Sequence, residues 1–106
     1  VKATSGVRLL RDDVGNTSER AHVYVSGRVQ GVAFRDAARR EASRAGVSGW
    51  VSNLPDGRVE AVFEGDGSGV REMIRWCESG PRAASVENVE TDFEEPLGEA
   101  GGFEVR

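Results

Sequence analysis

From Ala21 onward the chain alternates short apolar patterns with glycine and proline breaks. His22–Ser26 puts Val23 and Val25 on one face and His22, Tyr24 and Ser26 on the other, the period-two pattern of a half-buried strand. A glycine-containing stretch, Gly27–Ala33, follows. Phe34, Ala37, Ala38, Ala42 and Ala45 then recur at helical spacing, with Arg39, Arg40, Glu41 and Arg44 around them and Gly46 as a left-handed stop. Val47–Leu54 and Arg58–Glu64 read as two further strands, the second with Val59, Ala61 and Phe63 inward. Pro55-Asp56-Gly57 joins them through a turn, so they form an antiparallel hairpin. After the turn expected at Gly65–Gly69, Val70, Met73, Ile74 and Cys77 give a clear i, i+3, i+4, i+7 stripe, closed by Gly80-Pro81. Val86–Phe93 is a fourth strand, and Phe103–Val105 adds a short fifth after the loop 95–102.

The order β-α-β-β-α-β, with a hairpin at its centre, predicts an α+β fold of the ferredoxin-like, split βαβ type. Both helices should lie on one face of an antiparallel sheet of four to five strands. Residues 1–20 break the pattern: Val7, Leu9 and Leu10 are the main apolar cluster among charged and small residues. They are expected to form a flexible N-terminal extension or tag, with the domain itself at 21–106. Asn16-Thr17-Ser18 matches a glycosylation acceptor by chance.

Composition narrows the class. With 106 residues, 38% of them hydrophobic, the chain supports one small core. No apolar run approaches a membrane span. The lone cysteine, Cys77, leaves no internal disulfide or cysteine zinc site, and as part of the helical stripe it should be a buried, inert thiol. The cytoplasm is the expected location. A net charge of −4 argues against nucleic acid as the main partner, and no membrane partner is expected. Lys2 is the only lysine beside many arginines, a compositional or environmental habit such as salt adaptation.

Two segments carry candidate chemistry. Gly27-Arg28-Val29-Gln30-Gly31-Val32-Ala33-Phe34-Arg35 leads from a strand into a helix, whose first-turn N–H groups lack partners and whose dipole is positive there. Such a loop can aim several N–H groups at one anion, and Arg35 adds a permanent charge in a planar fork. It also fits an ordinary strand-to-helix connection with a solvated arginine. Gly49-Trp50-Val51-Ser52-Asn53-Leu54-Pro55-Asp56-Gly57-Arg58-Val59-Glu60 ends a strand on Asn53, an amide that can hold a water by donating and accepting. Asn53 fits a turn-capping role equally well.

Together the two segments closely resemble the signatures of the acylphosphatase family, as VSGRVQGVAFR and GWVSNLPDGRVEAVFEG. Gly80-Pro81 with Ala84-Ser85-Val86, and the final GFEVR, are similar to its later junction and last strand. The resemblance spans about 21–106. It implies an acylphosphate phosphohydrolase that uses Arg35 and Asn53 as catalytic residues. Gln30, Gly31, Val32, Ala33, Phe34 and Arg35 would bind the phosphate, and Asn53 would orient the attacking water. The substrate would be a small acyl phosphate, with inorganic phosphate as product and competitive inhibitor. No cofactor and no metal are implied, and a monomer is expected.

Other features have plainer readings. Gly65-Asp66-Gly67-Ser68-Gly69 superficially suggests a dinucleotide loop, but it follows a hairpin strand and carries Glu64 and Asp66 nearby, so a turn with Asp66 or Ser68 as helix cap is expected. His22 should be structural, Trp50 and Trp76 packing residues, and Glu87, Glu90, Asp92, Glu94 and Glu95 a solvated acidic edge. Two rival functions follow from the fold. A non-catalytic ligand- or RNA-binding module would need exposed aromatic and basic residues on the open sheet face, where only Tyr24 and Trp50 offer themselves. An acylphosphatase-like domain of a larger carbamoyl-transfer protein would bring cysteine-rich zinc segments.

Overall fold

The first strand is longer than its alternation suggests in the computed structural model, which describes residues 17–98 and 101–106. β1 runs Ser18–Arg28, followed by α1 (Phe34–Ala45), β2 (Ser48–Asn53), β3 (Val59–Asp66), α2 (Gly67–Cys77), β4 (Ser85–Glu94) and β5 (Phe103–Val105). The extension expected at 1–20 lies, up to residue 16, outside the described residues. Ser18, Glu19 and Arg20 instead begin β1, pairing with Asp66, Gly65 and Glu64. Their pattern is invisible as strand because charge holds it: Arg71 Nη1 binds Glu19 at 3.0 Å, and Arg20 binds Glu64 at 3.0 Å and Glu94 at 3.1 Å.

Five strands form one sheet in the order β4-β1-β3-β2-β5. Pairings among the first four are antiparallel, as expected for a split βαβ arrangement, and β5 joins β2 in parallel. The core is one cluster. Ala21, Val23, Val25, Val51, Val59, Ala61 and Phe63 from one sheet face meet Phe34, Ala38 and Ala42 of α1 and Val70, Met73 and Cys77 of α2. Burial pushes the Cys77 thiol up to about 12, which leaves it protonated and inert at neutral pH. Trp76 also packs as expected, its ring 5.1 Å from that of Phe34.

The turn expected at Gly65–Gly69 is absent, because β3 runs through Asp66 and α2 starts at Gly67. Asp66 occupies the cap position, yet its side chain makes no cap hydrogen bond. These glycines serve close approach: a Cβ on Gly69 would lie 2.7 Å from the Ala45 carbonyl oxygen at the end of α1.

The sheet face away from the helices carries a second, polar layer. Trp50 belongs to it rather than to the core, and Arg106 stacks on its indole at 4.6 Å. His22 meets Trp50 edge-on and stacks on Tyr24 at 5.0 Å. Under His22 and Trp50, both register neighbours of Val62, that valine is only 1% exposed although it points away from the helices. Glu64 is buried on the same face, where it takes Arg20 and the N–H groups of Leu97 and Gly98. Burial opposes its charge, but those hydrogen bonds win and its pKa lies below the ordinary value. Glu94 departs from the solvated edge expected of it by binding Arg20 and His22.

His22 gives this layer a pH dependence. Its two ring nitrogens face Glu60 at 2.6 Å and Glu94 at 2.9 Å, with Arg20 and Tyr24 sharing those carboxylates. Partial burial disfavours the imidazolium, but the hydrogen bonds and attraction to Glu60 and Glu94 outweigh it and raise the pKa above 6.5. Glu94 moves the other way, its pKa lowered from 4.5 chiefly by the His22 hydrogen bond. The His22 contribution is therefore complete below pH 6.5 and is lost as pH rises through the raised folded value. The melting temperature should accordingly fall between mildly acid and mildly alkaline pH. His22→Gln should remove that slope, and an unchanged slope would show that other groups cause it.

Candidate active site

Phosphate chemistry needs donors fixed around one point, and the loop that leaves β1 is the segment expected to offer them. Val29 and Val32 are buried and pin the loop at both ends. Between them Gly31 takes φ 74°, and Ala33, at the cap position of α1, takes φ 63°. A non-glycine residue with positive φ costs about 1 kcal/mol or more, a strain that persists where neighbours hold it and that clusters at functional sites. Left-handed residues of this kind are the backbone ingredient of anion-binding nests. The N–H groups from Gly31 to Asp36 meet no acceptor among the described residues, and the first helical bond is Ala37 N–H to the Ala33 carbonyl at 3.1 Å.

Gly31, Ala33, Phe34, Arg35, Asp36, Val29, Asn53 and Val105 line one cleft of about 240 Å³. Arg35 and Asn53, from different elements, thus share a cavity with the donor-rich loop. Val32 does not line it, because its side chain joins the core. The side chain of Gln30 also turns elsewhere, its Nε2 donating to the carbonyls of Leu54 at 2.7 Å and Arg58 at 2.9 Å. Any contact of Gln30 or Val32 with an anion is therefore a main-chain one. Asp36 lies near the cleft mouth with Arg39 at 3.5 Å and Arg40 at 4.0 Å, which offsets its charge.

Arg35 is oriented by a partner that its own segment does not contain. Its Nη1 donates to the main-chain oxygen of Arg106 at 2.8 Å. Arg106 is fixed by its N–H bond to the Val51 carbonyl at 2.8 Å, continuing the parallel β5–β2 pairing, and by its stack on Trp50. One side of the guanidinium is thereby tied down while the remaining donors stay available to an anion. The Arg106 contact gives no sequence signal, because a main-chain oxygen makes it.

A larger depression, about 400 Å³, lies on the open sheet face among Arg20, Trp50, Glu64, Glu104 and Arg106. Its charges are already paired, Arg20 with Glu64 and Arg106 with Glu104. The smaller cleft instead combines Arg35 with loop N–H groups that meet no acceptor among the described residues.

A family model described as acylphosphatase matches residues 21–105. An acylphosphatase of Rubrobacter xylanophilus is 63% identical over 89 residues, covering 84% of this chain and 81% of the relative. One from Roseiflexus sp. is 60% identical over 86 residues, 81% of this chain and 92% of that one. Among solved structures, an acylphosphatase from Coxiella burnetii superposes with a TM-score of 0.80 at 37% identity, over 86% of this chain and 94% of that chain.

Proposed function

Since the chain belongs to the acylphosphatase family and hydrolyses acyl phosphates to a carboxylate and inorganic phosphate, we propose how its residues divide that work. The loop N–H groups from Gln30 to Arg35, with the Arg35 guanidinium, bind the phosphoryl group, and Asn53 orients the attacking water. The observation that carries this reading is the shared cleft: Arg35, Asn53 and the left-handed loop residues all line it.

The chemistry asks for little else. A carboxylate is a good leaving group, so the reaction needs small acid–base assistance. Phosphoryl transfer passes through a loose transition state with charge spread over the equatorial oxygens, and it is helped by fixed positive charge and an in-line nucleophile. The loop and Arg35 supply the first and Asn53 the second. With that charge supplied by the protein, turnover requires no divalent cation. Benzoyl phosphate hydrolysis should therefore continue at its full rate in excess chelator. Loss of activity with chelator, restored by a divalent ion, would overturn this division of labour.

The acidic open sheet face supports this reading over a nucleic-acid-binding module. Glu60, Glu64, Glu90, Asp92, Glu94 and Glu104 share the side of Tyr24 and Trp50, against Arg20, Arg58 and Arg106. We further infer that the protein works as a cytoplasmic monomer. Size-exclusion chromatography with light scattering, and localisation of the tagged protein, test those two points.

A further inference from the structure

We propose that the Gln30 side chain is a positioning residue, setting the phosphate loop against Asn53 so that the water and the bound phosphoryl group are held in line. This rests on the roles given above to the loop and to Asn53.

The two halves of the site hang from strands that do not touch. Val25 of β1 and Asn53 of β2 both pair with Val59, from opposite sides of β3. At about 4.8 Å per strand step, their backbones stand roughly 10 Å apart. In-line attack tolerates little error, since a misplacement of about 1 Å can cost a hundredfold in rate. Some contact must set that separation: the sheet sets it through β3, and the Arg35–Arg106 bond ties the first turn of α1 to β2 but not the loop itself to the hairpin mouth.

Gln30 supplies a direct link. Its amide donates to the Leu54 carbonyl at 2.7 Å and to the Arg58 carbonyl at 2.9 Å, the two sides of the hairpin mouth beside Asn53. Among the described residues no other hydrogen bond joins the 29–34 segment to this mouth. The hairpin does not need Gln30 in order to close. Leu54 N–H already donates to the Arg58 carbonyl at 2.8 Å, and Gly57 N–H to the Leu54 carbonyl at 3.1 Å. What the amide adds is registry between the hairpin and the loop. Gly31, next in the chain, has φ 74° and lines the cleft, so anchoring Gln30 fixes the path just before the anion site.

Gln30→Met keeps an unbranched side chain of similar length and removes both donors. Its turnover of benzoyl phosphate, normalised to the folded fraction by circular dichroism, should fall about tenfold or more. Inhibition by inorganic phosphate should stay within about threefold of the parent, because the anion site itself is retained. In the Asn53→Ala background, Gln30→Met should lower the remaining turnover by less than about twofold, since the group it positions is gone. Turnover of Gln30→Met within about twofold of the parent would overturn the proposal. So would losses that multiply in the double variant, or phosphate inhibition that weakens as much as turnover falls. Should the methionine variant not fold, Gln30→Glu carries the same test, keeping the shape but facing two carbonyls with an acceptor. Normal activity of Asn53→Ala alone would mark failure of the Asn53 assignment instead.

Discussion

Arg35→Ala should lower the turnover of benzoyl phosphate at least about a hundredfold, because a preorganised donor at a developing charge is worth about 3–4 kcal/mol. Two properties of the side chain disappear together. One is a positive charge, and the other is a fork whose orientation is fixed by the bond to the Arg106 main-chain oxygen. The product carries the same oxygens as the transferred group, so competitive inhibition by inorganic phosphate should weaken in the same variant. Arg35→Lys restores a charge without the planar fork and should recover only part of the loss. Steady-state kinetics with phosphate as inhibitor measures both effects. Parent-like turnover of Arg35→Ala would remove Arg35 from the mechanism.

Asn53→Ala should lower turnover by a similar factor, on the order of a hundredfold, with the opposite signature in binding. Asn53 stands at the end of β2 on the far side of β3 from the loop, and its proposed partner is the nucleophile. In the proposed division of labour phosphate is held by the loop amides and Arg35, which this substitution leaves in place. Inhibition by phosphate should therefore persist while turnover collapses. A variant that lost phosphate affinity in proportion to rate would show Asn53 to be an anion ligand rather than a water holder. The pair of variants thus separates binding from attack, which neither does alone.

How far the residues announced this arrangement depends on the kind of contact involved. Both helices and the central hairpin were legible because their apolar positions keep a period that a sheet and two helices can bury together. β1 was cut short, since Ser18, Glu19 and Arg20 are held by ion pairs to distant residues rather than by alternation. Gly67 and Gly69 read as a turn because composition cannot distinguish a glycine kept for flexibility from one kept for close packing. At the site, Arg35 and Asn53 were visible as side chains within two recognisable segments. Arg106 was not, because it acts through its main chain and reaches Arg35 only after β5 docks on β2. Gln30 was grouped with the anion donors, and only three-dimensional placement turns its amide toward the hairpin. Ala33 in a left-handed conformation had no signal either, since alanine rarely adopts it.

The outermost strands bear on how copies of the molecule meet each other. β5 offers only three residues at one edge, while β4 presents ten at the other, long enough to template a neighbouring chain. Glu87, Glu90, Asp92, Glu94 and Glu95 lie along and just beyond that rim, so a second copy pairing there would bring carboxylate against carboxylate. The guard is electrostatic rather than steric, and it is only as strong as the ionisation behind it. Toward the sequence isoelectric point of about 5.0 the overall charge of −4 falls to zero. Repulsion between molecules is then weakest, and because β4 has no strand partner on its outer side among the described residues, that rim is where self-association should begin.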